Sequence, residues 1–252
     1  MEIQYTLTEN HHTMKKLHFI LILAVLGLSA RTGFAQEAVD LGLSVKWAIC
    51  NVGASSPYDV GSYFAWGEVE AKESYWWRNY SMSNTPDYSD MDEILLDKQD
   101  PSVLTEYCGS DGKTRLDSAD DVACQKWGEN WRIPTAEEWT ELLENCSWAW
   151  TQRASEEGDF KVLIGGFKVT SKKNGNSIFL PASGFYMGVG AVESTKTGYY
   201  WSSSLNTDNP VEAWCFSFFP GGSLGWHTGW PRSIETETLF RSHGLPVRPV
   251  TE

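Results

Sequence analysis

Val39, Leu41, Leu43, Val45 and Trp47 alternate with polar or small residues, a period of two that predicts a half-buried strand. A second short strand is expected at Tyr63–Trp66. From about 69 to 116 the chain is acidic and turn-rich with scattered apolar positions, which reads as a loop-rich insertion. Periodicity then changes. Ser118 is placed to cap a helix whose first turn carries Asp120 and Asp121, with Ala119, Val122, Ala123 and Trp127 on one face and Gly128 as its stop. Thr135 and Glu138 form a capping box ahead of Trp139, Leu142, Leu143 and Cys146 at helical spacing. Beyond them the pattern turns to strands. Phe167–Thr170 and Ser177–Leu180 flank Asn174-Gly175, a hairpin signal. Tyr199–Ser202 is a further strand, and Val211–Phe219 sets Trp214, Phe216 and Phe218 against Ala213, Cys215 and Ser217. Gly244–Val250 closes the sheet. Two short helices followed by a run of antiparallel strands predict an α+β domain.

The first residues change the domain count. Lys15 and Lys16 precede an apolar run from Phe19 to Leu28, and Gly33-Phe34-Ala35 supplies small residues where a signal peptidase cuts. That run is too short to span a bilayer, which takes about 20 residues. Residues 1–35 are therefore expected to be a signal peptide, with 1–13 an upstream start-site artefact before Met14, and 36–252 a single exported domain. No cysteine follows the cut, so a lipid anchor is not expected there. The product is expected in the periplasm, at the cell surface or in the medium. Cleavage lowers 20 basic and 33 acidic residues to 17 and 31, because Lys15, Lys16, Arg31, Glu2 and Glu9 are lost. An acidic domain without a basic cluster is poorly suited to nucleic acid. Cys50, Cys108, Cys124, Cys146 and Cys215 are odd in number and lack any CxxC spacing, so no pairing is assigned. The oligomeric state is left open.

Several strings keep an order along the mature chain: Cys50-Asn-Val-Gly-Ala54, Tyr63-Phe-Ala-Trp-Gly-Glu68, Trp127-Gly-Glu-Asn-Trp-Arg-Ile-Pro-Thr135, Asn174-Gly-Asn-Ser-Ile-Phe-Leu-Pro181, Gly198-Tyr-Tyr-Trp-Ser-Ser-Ser204 and Arg241 to Val250. The set resembles the Fibrobacter succinogenes major paralogous domain family. That resemblance implies a C-type-lectin-like fold, with two helices beside a small antiparallel sheet and long loops presenting a binding face. It carries no settled ligand or activity. Related C-type-lectin-like proteins of diversity-generating retroelements end in a strand similar to Gly244-Leu-Pro-Val-Arg-Pro249.

Catalytic chemistry finds little support in the residues. Only His227 and His243 survive processing, too few for a zinc site of three protein ligands. Ser202-Ser-Ser204 lacks a G-x-S-x-G elbow and is expected to serve as structural hydrogen-bond partners. Asp208-Asn-Pro210 is not the tripeptide of a calcium lectin and offers too few oxygens. No cofactor or metal is expected. Thirteen tryptophans remain to be placed. Trp47, Trp127, Trp139, Trp201 and Trp214 lie on apolar faces and are expected in the core. Trp226, His227, Trp230 and Arg232 sit instead on a turn-rich segment, and rings and guanidinium groups of this kind are common binding anchors. With Asn206, Asp208 and Asn209 they form the expected binding face of a non-catalytic module for a glycan or protein ligand. The alternative is a structural subunit of a surface appendage or envelope assembly.

Overall fold

A computed structural model describes residues 36–85, 101–157, 160–192, 196–224, 227–230 and 232–252. The expected signal peptide lies outside them. Strands β1 (Ala38–Val39) and β2 (Lys46–Ala48) are followed by helices α1 (Val122–Trp127) and α2 (Ala136–Asn145). Then come β3 (Cys146–Glu157), β4 (Phe160–Ser171), β5 (Ser177–Pro181), β6 (Phe185–Met187), β7 (Gly190–Val192), β8 (Gly198–Leu205), β9 (Glu212–Phe219), β10 (Gly222–Leu224), β11 (His227–Trp230), β12 (Ser233–Phe240) and β13 (Val250–Thr251). The α+β, C-type-lectin-like balance expected from the sequence does not hold. Thirteen strands stand against two α-helices among the described residues, all in small antiparallel sheets, which is a largely β fold. Much of the difference lies at 146–171, where β3 and β4 form a hairpin with twelve residues in each strand.

Local chemistry explains the other departures. The alternation at 39–47 is broken because Gly42 takes a positive φ of 68° and donates its N–H to Asp40, so the chain turns between β1 and β2. Leu41 and Val45 are still buried. At 63–66 a single bridge, Phe64 to Leu245, replaces the expected strand. α1 starts later than expected: Asp121, not Ser118, is its cap and accepts the N–H groups of Ala123 and Cys124. The capping box of Thr135 and Glu138 forms as the sequence predicts. The β4–β5 hairpin does too, in the register Phe167–Leu180 and Val169–Ile178.

The sheet β12–β9–β8 divides the core. On β9, Ala213 and Cys215 face one apolar cluster, while Phe216 and Phe218 face the other. On β8, Trp201 and Leu205 join the first cluster and Tyr200 the second. The period of two is real, but both faces of this strand pair are covered. α2 closes the second cluster by stacking Trp139 on Phe216, ring centroids 4.6 Å apart. The first is closed by the irregular chain on both sides of 86–100, whose Tyr75, Trp77, Tyr80, Met82, Leu104, Tyr107 and Leu116 are buried. The described parts of the expected insertion are therefore core material with only two short 3-10 turns, Trp77–Asn79 and Pro101–Val103, as regular structure.

Candidate functional site

The described residues of the expected binding face lie toward the two ends of β9. Asn206, Asp208 and Asn209 lie in the turn between β8 and β9. Asn206 organises that turn: its carbonyl oxygen accepts the N–H groups of Asp208 and Asn209, and its amide donates to Glu212. Such a short polar side chain closing its own turn is local structure. Beyond the Phe219 end β10 and β11 form a hairpin that includes the backbone of His227 and Trp230, and Arg232 follows it. Seven residue steps along β9 separate the two ends, about 23 Å at strand spacing. Trp226 lies outside the described residues, as do the side chains of His227 and Trp230. Arg232 packs on the β3–β4 hairpin, donating to the carbonyl of Trp148 at 3.1 Å with its guanidinium 5.0 Å from the Phe167 ring centre. Among the described side chains, Asn206, Asp208 and Asn209 stand together in the β8–β9 turn and Arg232 stands apart from them on the β3–β4 hairpin.

A cleft of about 1030 Å³ opens instead beside the β8–β9 turn. One wall is the polar stripe of α2, with Glu137, Thr140, Glu141 and Glu144 at helical spacing. The opposite wall is the 113–117 segment, and Thr207 and Thr236 border it on the sheet side. Trp214 forms its floor. This ring continues the row of Phe218 and Phe216 along β9, but it lies past the cover of Trp139 and is left half-buried. Trp127 is also half-buried, whereas Trp47, Trp139 and Trp201 are interior as expected.

Charge within the cleft is uneven. Lys113 pairs with Asp117 at 2.9 Å and Glu106 at 3.5 Å, and the Asp117 contact raises its pKa. Glu141 accepts both the N–H and the hydroxyl of Ser44. Glu137, Glu144 and Arg115 line the space without an ion pair among the described residues. Hydroxyl groups nearest the sheet are already engaged. Ser202 donates to the Trp214 carbonyl, Ser203 to that of Pro134, and Ser204 accepts the N–H of Ala136 at the start of α2. The three serines hold elements together, as the sequence suggested. Glu138 is likewise structural, bonding Arg132 through both oxygens at 2.8 and 2.6 Å. Among the described residues, no group of three or more His, Cys, Asp or Glu side chains is placed to hold a metal ion. The five cysteines are free thiols.

Trp214 was missed as a surface group because its strand pattern is that of a core residue. Nothing in the alternation of β9 marks where the helix above it ends. Comparison with protein-family models, curated proteins and solved structures finds no match for this chain.

Proposed function

We propose that this protein is an exported, non-catalytic binding module that takes a glycan or protein ligand in the cleft floored by Trp214. The observation that carries the reading is a tryptophan left half-buried on a rigid strand, at the bottom of a cleft large enough for a ligand. A ring held this way offers broad contact area at little entropic cost. Thr140, Thr207 and Thr236 supply hydroxyl groups around it, and Glu137 and Glu144 supply acceptors. Export rests on the leader-like residues 1–35, and kinship with the Fibrobacter succinogenes major paralogous domain family rests on the ordered strings of the mature chain.

An array of neutral and acidic oligosaccharides and surface-protein fragments, probed with the mature chain and with Trp214→Ala, tests the assignment. Captured ligands should be lost with Trp214→Ala while circular dichroism is unchanged. Undiminished capture by the folded variant removes the cleft from consideration. The second reading, a structural subunit, has one observation in its favour: β12 ends its sheet with no neighbour on its outer side among the described residues. A mature chain that stays monomeric at high concentration by light scattering argues against it.

A further inference from the structure

A second cavity, of about 540 Å³, lies on the outer face of the β3–β4–β5 sheet, on a different surface from the Trp214 cleft. Its base is a pair of aromatic rings, Tyr58 and Phe179, with centroids 5.0 Å apart and planes tilted by 53°. Both are half-buried. Thr151, Gln152 and Ser177 stand around them, and Ile49, Pro57 and Ile178 complete an apolar side. The side chain of Lys168, exposed on β4 directly across from Phe179, has no ion pair or hydrogen bond among the described residues.

The platform is held from beneath. Arg248 is fully buried and donates to the carbonyls of Ala48, Ile49 and Phe179 at 2.9 to 3.0 Å, and to Asn51 at 2.7 Å. Two of those carbonyls belong to residues that line the cavity, so one guanidinium ties its two walls together. Asn51, also fully buried, donates in turn to the Val60 carbonyl and fixes the loop that carries Tyr58. Gly166 completes the arrangement. A Cβ there would come within 2.5 Å of the Phe179 ring and 2.4 Å of the Leu180 carbonyl, so the ring lies over bare backbone. An aromatic surface fixed at this cost to neighbouring positions is preorganised for a ligand.

We propose that this platform binds an acidic sugar, a hexuronic-acid residue of a saccharide. Its C–H face lies on Tyr58 and Phe179, its carboxylate meets the Lys168 ammonium, and its hydroxyl groups meet Thr151, Gln152 and Ser177. A sugar ring has one apolar face and polar edges, and this cavity presents an apolar base with polar groups and the Lys168 ammonium at its rim. A peptide added as a strand along β5 fits less well, because the Phe179 carbonyl that would receive it is already taken by Arg248.

Isothermal titration of the mature chain with trigalacturonic acid, its methyl ester, a glucuronic-acid disaccharide and a glutamate-rich peptide tests the proposal. At least one acid should bind, with the ester at least tenfold weaker. Lys168→Met should lose tenfold or more, Lys168→Arg should stay within a few-fold of the parent, and Trp214→Ala should leave this binding unchanged. Lys168 is exposed, so its variants test the site without burdening the fold. Absence of binding to both acids, equal affinity for acid and ester, or binding only of an acidic peptide overturns the assignment. Loss with Trp214→Ala but not with Lys168→Met overturns it as well, by moving the acid to the other cleft.

Discussion

Arg241 and Trp214 belong to two regions built on opposite terms. Arg241 is fully buried, with its guanidinium 4.8 Å from the centre of Trp66, 5.4 Å from Tyr80 and 5.8 Å from Tyr107. It donates to the Tyr80 hydroxyl and to the carbonyls of Glu106, Tyr107 and Pro210. No carboxylate pairs with it among the described residues, so ring faces and backbone dipoles solvate the charge. Trp214 lies half-buried in a cleft of charged and hydroxyl side chains. A cation has been placed fully inside and an aromatic ring left half-buried, the reverse of what residue type alone suggests. The interior cation is a fastener: it joins the irregular 104–107 chain, the β8–β9 turn and the C-terminal segment. The half-buried ring has no such fastening role, and the proposed ligand contact rests on that difference.

Loss of the fastener should have the largest effect. Arg241→Met strands the carbonyls of Glu106, Tyr107 and Pro210, and each buried group left without a partner costs about 1–3 kcal/mol. Urea unfolding should show a loss of roughly 3 kcal/mol or more on that basis. Trp139→Ala should be comparable, about 3–5 kcal/mol, since it opens a cavity over Phe216. If Arg241→Met is tolerated within about 1 kcal/mol, the carbonyls reach water and the region is not the fastener described.

Acid tests the same region by a different route. His243 is buried between Phe185 and Phe240, and its Nδ1 has no partner. Burial pushes its pKa down to about 4. An unfolded imidazole titrates near 6.5, so between these values the unfolded chain holds more protons and folding weakens as pH falls. The contribution is fully present above about 6.5 and is lost on acidification toward 4, at about 1.4 kcal/mol per pH unit and up to roughly 3 kcal/mol. Glu237 acts in the opposite sense, because burial raises its pKa and the native state keeps its proton longer. The readout is thus the difference between the parent and His243→Phe across pH 4 to 7, which should grow on acidification. Parallel curves would show that His243 is protonated without unfolding.

Trp214→Ala should cost little by comparison, about 1 kcal/mol, because only part of the ring leaves contact with the protein. A loss as large as that of Trp139→Ala would mean that the cleft closes over the ring in solution.

The same contrast explains what could be read in the sequence. The capping box at Thr135, the Asn174-Gly175 hairpin and the alternation of β9 were legible because each depends on neighbours a few residues away. The β3–β4 hairpin was legible only at Phe167–Thr170, because the helical pattern ran into β3 at Cys146 and hid the strand that pairs with it. The ordered strings behind the family resemblance proved to be largely interior: Trp66 donates to the Ser202 carbonyl, Trp201 to that of Phe64, and Arg248 to three carbonyls. They record how the chain is fastened, and ligand chemistry does not follow from them. Of the expected face at 206–232, the described side chains of Asn206 and Arg232 lie in different places. Residues close in sequence were assumed close in space, yet a full strand stands between the β8–β9 turn and the β10–β11 hairpin. Trp214 and Lys168 become visible only when the elements that cover, or do not cover, their strands are in place.

Thiol reactivity gives the smallest and most local measure of the divide. Cys108 follows Tyr107, a residue held at a φ of 53°, and its thiol meets the Ser110 hydroxyl, which lowers its pKa. Cys215 is fully buried on β9 and burial raises its pKa well above the usual range, while Cys146 is pushed up to about 11. The thiolate is the reactive form, so iodoacetamide at neutral pH should label Cys108 at least about tenfold faster than Cys146, with Cys215 protected. Ser110→Ala should slow Cys108 a few-fold by removing the contact that favours its thiolate. Labelling of Cys215 at the rate of Cys108 would mean that the central strand pair opens in the native state. The partition of the core by β8 and β9 would then not be the rigid frame on which the Trp214 cleft depends.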